Sequence, residues 1–422
     1  MRTCRSTVFA LLSLTLLAGP AWPQGGPGLP IDQGLWRLNG SDPNLPYDDL
    51  EPLRRIIGGA QLVALGESTH ASGGFYEMKH RTFRFLVEQM GFRALGMETP
   101  WVNAERVERY VQTCQGTPRQ AVRGVFPIWR STETEALAQW MCEWNQAHPD
   151  DRVHFYGFDI QSQARADGSA LLAFLQRLGI GDSDPRVAGV RVCDGVVEDW
   201  FFEELPYPPE LYAQCIAALE DVAGYFDTQE KEIERQTSRE DLAWARIRLV
   251  GLRAWEEEIF ETDLERSRNA RDKGMAYVAR AIRDLRFPHA RTALWAHNVH
   301  IARTGIPIYF LGSMGSHLAA ELGNNYRAIA LTAREPRVDW WSLGLCGPVD
   351  QATGPGSLEH VLSVAGPGPG VLANLRAQPP FLTPGATYRV GGDSIVPADH
   401  FDAVIHLDVS PEMHPTFWPA CQ

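Results

Sequence analysis

The stretch QLVALGESTH, residues 61–70, joins a short apolar run to a group of polar side chains. The run at 61–65 does not alternate between polar and apolar residues, which is typical of a strand covered on both faces of a parallel sheet. Glu67 and His70 follow at once, where such a strand would end. Ligands of open α/β sheets bind outside the carboxyl ends of the strands. This stretch therefore predicts a layered α/β fold and the edge of the sheet that carries its site.

Similar apolar runs recur along the chain and predict the remaining strands. They lie at residues 94–97, 153–157, 293–296, 308–311 and 327–331, and a run at 403–407 is predicted to be a last edge strand. Amphipathic segments separate these runs. We therefore expect an α/β fold with a central, mostly parallel sheet flanked by helices.

The segment between the third and fourth strands, residues 160–290, is predicted to be a helical insertion beside the sheet. Apolar residues recur there at spacings of three and four, from Leu242 to Ile259 and again from Met275 to Leu285, as in helices with one buried face. Residues 344–370 are rich in Gly and Pro and are predicted to be a long loop. Residues 22–422 are thus expected to form one domain with a loop-rich C-terminal part at 334–422.

Polar side chains follow four of the predicted strands at the point where each ends. They are Glu67 and His70 after the first strand, Glu98 after the second, Asp159 after the third, and His297 and His300 after the fourth. One of these residues alone has an ordinary explanation, such as a helix cap or a surface histidine. Their recurrence at one edge of the sheet favours a polar active site.

Two cations are expected to face the same edge. Lys79 falls within the apolar stripe of the helix that follows His70, and Arg271 lies one turn before Met275 on the apolar face of a later helix. A lysine in such a stripe can extend its amine to water, but a charge that stays buried must be paired. Glu67, Glu98 and Asp159 are the natural partners.

Composition bounds the class of protein and its partners. The chain has 422 residues, of which 44% are hydrophobic and 22% are charged, as in globular proteins. Its formal net charge of −13 argues against a nucleic-acid or anionic-membrane partner, because phosphate binding requires clustered Lys and Arg.

The first 21 residues have the pattern of a signal peptide. Arg2 and Arg5 precede an apolar stretch at 8–17, and small residues follow at 19–21. The apolar stretch is shorter than a membrane-spanning helix, although an uncleaved anchor is the alternative. We therefore expect export to the periplasm or the medium. Cleavage would leave six of the seven cysteines in an oxidising compartment, and we expect the local disulfides Cys114–Cys142 and Cys193–Cys215.

Motifs for several common chemistries are absent from the sequence. It contains no G-x-S-x-G nucleophile elbow, no G-x-G-x-x-G dinucleotide turn and no P-loop. The remaining groups are histidines, carboxylates and inward cations, which suit the activation of water and the stabilisation of an oxyanion. Asp159 and Trp129 are predicted to contact the substrate.

The joint order and spacing of these residues resemble the erythromycin esterase family, over about residues 35–331. The matching motifs are Gly66-Glu67-x-x-His70, Glu98, Arg271-Asp272-x-x-Met275-Ala276, Ala296-His297-Asn298-x-His300 and Met314-Gly315-x-x-Leu318, with Trp129, Glu133, Trp140 and Asn145 between them. The resemblance implies hydrolysis of a small-molecule ester or of a macrolide lactone without a serine nucleophile, and hence a link to antibiotic resistance.

The resemblance also implies roles for individual residues. His70 matches the proposed general base, Glu67 and Glu98 its supporting carboxylates, and His297 and His300 a later histidine pair. The family has an arginine where this chain has Lys79. Lysine keeps the positive charge but lacks the two-pronged guanidinium.

The expected mechanism is as follows. His70 takes a proton from water, which attacks the ester carbonyl, while Glu67 or Glu98 orients the imidazole. His297, His300 and Lys79 would stabilise the oxyanion or protonate the leaving alcohol, and Arg271 would neutralise the buried carboxylates.

Two alternatives remain open. One is a metal-dependent hydrolase, in which the same Glu and His residues bind zinc or manganese. The other is an exported binding protein without catalytic activity. We favour a hydrolase that needs no cofactor.

Overall fold

A computed structural model describes residues 30–161, 164–193, 207–307, 311–340, 344–349, 354–390 and 393–418. The predicted signal peptide and residues 308–310 of the predicted fifth strand lie outside this part of the chain. The strands are β1 (Pro30–Asp32), β2 (Leu35–Leu38), β3 (Leu62–Leu65), β4 (Phe92–Pro100), β5 (His154–Asp159), β6 (Arg291–Trp295), β7 (Tyr326–Trp340), β8 (Leu345–Pro348), β9 (Gly370–Asn374), β10 (Tyr388–Val390), β11 (Asp393–Ile395) and β12 (Ala403–Ser410).

Ten strands form one mixed sheet in the order β1-β2-β9-β12-β7-β3-β6-β4-β5, with β8 paired to β7. The pairs from β12 to β5 are all parallel, whereas β9 pairs antiparallel with β2 and β12. The predicted fold class, a mostly parallel sheet flanked by helices, is confirmed.

Strand β3 shows why the first apolar run could be recognised. All four of its residues are buried. Val63 and Leu65 pack into the apolar core on one face of the sheet, and Leu62 and Ala64 into the core on the other. Because helices cover both faces, neither set of side chains needs to be polar.

The helices are α1 (Pro52–Ile57), α2 (Gly73–Met90), α3 (Trp101–Thr113), α4 (Pro118–Ala121), α5 (Thr132–Ala147), α6 (Ala164–Arg177), α7 (185–193), α8 (Pro209–Thr228), α9 (Glu230–Gln236), α10 (Arg239–Phe260), α11 (Leu264–Arg286), α12 (Asn298–Ile301), α13 (Met314–Leu322), α14 (Leu358–Ala365) and α15 (Pro397–His400). Within the described residues, every helix is too short or too polar to cross a bilayer.

Helices α6 to α11 lie between β5 and β6 in sequence, where the helical segment is predicted. They enclose an apolar cluster of their own, which includes Leu171, Leu219 and Trp255. The inner face of α11 packs instead against the sheet, through Met275 and Ile282. The disulfide Cys193–Cys215 forms within this region and Cys114–Cys142 links α3 to α5, so that both expected pairs are confirmed.

Two expectations for the C-terminal region are wrong. The last strand, β12, is not at an edge, because it lies between β9 and β7 and is hydrogen-bonded on both sides. The stretch 344–370, predicted to be a loop, contains β8 and α14. The apolar pattern of β12 does not indicate which strands lie beside it in the sheet. The glycines and prolines of residues 344–370 flank short secondary-structure elements and do not form one continuous loop.

Candidate active site

Three side chains form a hydrogen-bonded chain at the carboxyl end of β3. His70 Nδ1 lies 2.7 Å from Glu67 Oε1, and Lys79 Nζ donates to Glu67 Oε2 at 2.8 Å. Because a carboxylate paired with an ammonium accepts hydrogen bonds, Nδ1 carries the proton on His70. The other ring nitrogen, Nε2, is left as the basic one, and the His70 side chain is 21% exposed.

Lys79 is fully buried on the inner face of α2. Its ammonium also donates to the carbonyl oxygen of Ala296 at 3.0 Å and lies 4.7 Å from the ring centre of Trp295. Burial lowers the pKa of Lys79 to about 8, although the carboxylate of Glu67 opposes this shift. The single ammonium thus serves two acceptors, which is how this chain accommodates a lysine here.

The turn after β3 requires a close approach of backbone to side chain. A Cβ atom on Gly66 would lie 1.9 Å from Asn298 Oδ1. Asn298 uses that oxygen and its Nδ2 group to bond the backbone of Leu331. After His70 the chain passes through Ala71, whose φ of 61° is left-handed, a costly conformation that the surroundings must hold.

Residues from one nearby and two distant segments hold Ala71. Its amide donates to the Tyr76 hydroxyl at 2.8 Å, and its carbonyl accepts from the amides of Asp339 and Met413. The C-terminal residues therefore help to position His70.

Glu98, Arg271 and Asp159 form a second network beside the first. Arg271 Nη2 donates to Asp159 Oδ2 at 2.6 Å and to Glu98 Oε1 at 3.3 Å. Burial acts to lower the pKa of Arg271, but Asp159 and Glu98 raise it well above its ordinary value. Burial likewise acts to raise the pKa of Glu98, but His300, His70 and Arg271 hold it well below its ordinary value. Both groups therefore stay ionised.

The later histidines have different surroundings. His300 is buried between two carboxylates, with Nδ1 2.9 Å from Asp272 Oδ1 and Nε2 3.2 Å from Glu98 Oε1. His297 is the N-cap of α12, where Nδ1 accepts from the amide of Val299. Its Nε2 therefore carries the proton and donates to the carbonyl of Ser68 at 3.1 Å. Burial, followed by His70 and His300, lowers the pKa of His297 well below its ordinary value, so that this ring is neutral.

The seven residues predicted to be catalytic thus lie in one cluster: Glu67, His70, Lys79, Glu98, Arg271, His297 and His300. We call this set the catalytic cluster. The His70 and His297 ring centres are 5.0 Å apart. Glu67 rather than Glu98 bonds His70, whereas Glu98 bonds His300, Arg271 and the backbone amide of His297.

Both residues predicted to contact the substrate are fully buried. Asp159 holds Arg271, as described above. Trp129 donates its indole N–H to the carbonyl of Glu98 at 2.8 Å and packs edge-on against His70, with ring centres 5.0 Å apart. In this arrangement the two residues support groups that can face a substrate.

Sequence reasoning missed four residues around the cluster. Asp272, which bonds His300, stands in a matched motif but was given no role. Asn298 also stands in a matched motif without a role, whereas Tyr76 and Trp295 were not singled out. Only tertiary contacts show the polar bonds of Tyr76 and Asn298 and the contact of Trp295 with Lys79.

A small cavity of about 30 Å³ adjoins His297 and Ser68, and its other wall is apolar, with Ile306, Val390, Ile395 and Phe401. In the described part of the chain, no group of three or more His, Cys, Asp or Glu residues has the geometry of a metal site. The carboxylates bond instead to Lys79, Arg271 and the histidines.

Comparison with known proteins identifies the family to which this chain is similar. The family model for erythromycin esterase matches residues 87–410. Erythromycin esterase type II of Escherichia coli is 25% identical over 330 residues, which cover 71% of this chain and 74% of that protein. The putative hydrolase YbfO of Bacillus subtilis (strain 168) is 23% identical over 76% of both chains. A solved structure of a mutant of the erythromycin esterase EreC, in its open conformation, aligns with a TM-score of 0.69 and 19% identity over 89% of this chain and 96% of that one.

Proposed function

This chain belongs to the erythromycin esterase family and is a hydrolase of that family, and we propose that it cleaves a carboxylic ester or lactone with water activated by His70. The observation that carries the proposal is the chain His70–Glu67–Lys79. It sets the imidazole tautomer through Nδ1 and leaves Nε2 as a base on a partly exposed ring. This is the arrangement of a base oriented by a third group.

The first step is attack by water. His70 Nε2 takes a proton from the water molecule while its oxygen bonds to the carbonyl carbon, and the negative charge moves to the carbonyl oxygen. The cation that can reach this oxyanion is Arg271, because its side chain is 15% exposed and its Nη1 has no hydrogen bond to the described residues. Lys79 is fully buried, so that it acts on Glu67 and His70 rather than on the substrate.

The second step is loss of the alcohol. The tetrahedral intermediate collapses, the carbon–oxygen bond to the alcohol breaks, and the proton on His70 Nε2 passes to the leaving oxygen. His297 stands beside this ring as a neutral imidazole, so that it adds no positive charge that would weaken the base.

The substrate that we propose is a small ester or a macrolide lactone. Relatives named as erythromycin esterases support the lactone, which would make the protein an agent of macrolide resistance. The apolar wall of the cavity beside His297 suits the apolar part of such a molecule.

We also propose that the protein acts after export, in the periplasm or the medium. Two disulfides support this compartment. Cell fractionation and N-terminal sequencing of the purified protein test it, and a cytoplasmic protein that begins at Met1 would contradict it.

The decisive experiment is hydrolysis of chromogenic esters and macrolides by the purified mature protein, compared with His70→Ala. Loss of a general base reduces the rate by about 10²–10⁴-fold, so we expect kcat/KM to fall by that factor. Unchanged turnover in His70→Ala would make His70 the wrong base.

Two further measurements distinguish the alternatives. Activity that disappears on prolonged chelation and returns with zinc or manganese would favour a metal-dependent reaction. Ligand-induced thermal stabilisation by the same compounds, without turnover of any of them, would favour a binding protein. We expect turnover that survives chelation.

A further inference from the structure

A sizeable cavity of the described structure lies outside the catalytic cluster. It is a groove of about 580 Å³ between α2 and α5, which we call the α2–α5 groove. Its size is within the range of small-molecule sites, about 300–1,000 Å³. No residue of the catalytic cluster lines it.

The walls of the groove carry four carboxylates, Asp42, Glu77, Glu133 and Glu143. Glu133 accepts from His414 Nδ1 at 2.6 Å. The other three accept hydrogen bonds from neutral groups, at 2.7 Å from Ser41 to Glu77 and from Gln139 to Glu143, and at 2.8 Å from the amide of Asn44 to Asp42. Within the described part of the chain, these three carboxylates form no ion pair.

The cations of the groove do not balance these charges. Arg84 also lines it, but its guanidinium pairs with Glu88 at 3.4 Å. The side chain of His414 is 76% exposed and is held by Glu133. Burial, with the charges of Glu133 and Asp42, raises the pKa of Glu77, although its bond to Ser41 opposes the shift. The groove therefore has an excess of negative charge that a bound cation would relieve.

His80 gives an independent sign of a missing partner. It lines the groove, is 4% exposed, and its Nε2 is buried without a hydrogen-bonding partner among the described residues. Burial, followed by the charge of Arg84, lowers the pKa of His80 to about 3, so that the ring is neutral. A neutral imidazole has one nitrogen that accepts a hydrogen bond, and an ammonium group is a donor for it.

Trp140 adds an aromatic wall. It is half-buried beside His80, with ring centres 5.8 Å apart, and Arg84 already lies 5.5 Å from its ring centre. Aromatic faces attract organic cations and also pack against their methylene groups. An inorganic ion would make no use of this ring.

From the carboxylates that lack charged partners and the His80 ring nitrogen that lacks a hydrogen-bonding partner among the described residues, and from the face of Trp140, we propose that the α2–α5 groove is a second binding site, for an organic cation with two or more amine groups. The carboxylates of the described chain do not converge as a metal site requires. Charges spread along a wall instead match amines spaced along a flexible chain. This site is separate from the proposed esterase site and does not depend on its chemistry.

The test is titration of the full-length mature protein with spermidine, by calorimetry in low salt. We expect one site, and we expect Glu77→Gln and Glu143→Gln each to weaken binding about tenfold. The matched control is Asp150→Asn, which removes one charge from an exposed residue outside the groove and should leave the Kd unchanged. Thermal unfolding of each variant verifies that it is folded.

A second readout follows His80 directly. Long-range proton–nitrogen correlation spectra should show the imidazole nitrogens of His80 shifting as spermidine is added, and those of His289, outside the groove, unmoved. The same titration of His70→Ala should give the wild-type Kd, so that a wrong assignment of the catalytic base leaves this result untouched.

Three results would overturn the proposal. The first is equal binding by the wild type, Glu77→Gln, Glu143→Gln and Asp150→Asn, which would reflect only the net negative charge of the protein. The second is competition by magnesium at equal concentration, which would indicate an inorganic cation site. The third is binding that leaves the His80 signals unchanged.

Discussion

Helix α2 carries buried polar residues on two faces, and the two faces differ in how their charges are satisfied. On the face of Lys79, every carboxylate of the catalytic cluster is bonded to a cation or an imidazole. On the face of Glu77 and His80, Glu77 and Glu143 bond to a hydroxyl and an amide group, and His80 Nε2 has no partner in the described chain. The comparison indicates that a closed network holds its side chains in place, which suits the proposed catalytic role, whereas the open one has the unmet charge and hydrogen-bonding capacity on which the proposed cation site rests.

The largest expected effect comes from removing the Lys79 ammonium from the network on its face of α2. Lys79→Met would leave Glu67 buried without its cation, and the loss of one member of a buried ion pair costs about 3–5 kcal/mol. We expect the free energy of unfolding, measured with urea, to fall by that amount. The control on the same helix is Arg84→Met, which breaks a partly exposed pair with Glu88 and should cost about 0–1 kcal/mol. Equal losses in the two variants would contradict the comparison.

The next effect concerns pH. Because burial lowers the pKa of Lys79 to about 8, the ammonium loses its proton as pH rises through that value, and Glu67 then loses its partner. We expect kcat/KM for an ester to fall about tenfold per pH unit above this pKa. Lys79→Arg keeps its charge throughout and should retain activity at pH 9 relative to pH 7. A pH–rate profile with the same alkaline limb in both proteins would assign the limb to another group.

The smallest expected effect tests the face of α2 that carries Glu77 and His80. The pKa of Glu77 is raised, by burial first and by nearby carboxylates, so that stability tied to its protonated form is present at acid pH and is lost as pH rises through the raised pKa. At pH 7, Glu77→Gln should therefore raise the free energy of unfolding by about 0.5 kcal/mol. The gain should vanish near pH 4. Destabilisation at pH 7 would mean that Glu77 is stabilised in the folded protein by a cation as well as by its hydrogen bond from Ser41.

The apolar pattern within a single segment was sufficient to predict the buried strands and the inward-facing charged residues. The strand at 62–65 is apolar throughout because both its faces are covered, and Lys79 and Arg271 could be placed inward because they interrupt apolar helical stripes. The seven residues of the catalytic cluster follow from these two signals, since strand ends and inward faces meet at one edge of the sheet.

Features that depend on distant partners could not be predicted. The place of β12 inside the sheet is set by pairing with β7 and β9, which its own residues do not encode. The buried positions of Trp129 and Asp159 depend on how other segments close over them. The lack of a hydrogen-bonding partner for His80 Nε2 among the described residues becomes apparent only when α5 packs beside α2.

The strand order has a consequence for how the protein folds. Leu35 on β2 pairs with Ala373 on β9, and β9 in turn pairs with β12, so that one half of the sheet joins segments from opposite ends of the described chain. Contacts between residues so far apart in sequence cost loop-closure entropy before they are rewarded, which slows folding. Until residues 403–410 arrive, β7 has one open edge, and an open edge can pair with other chains. We therefore expect slow folding, with pairing of the open edge of β7 to other chains as a competing reaction.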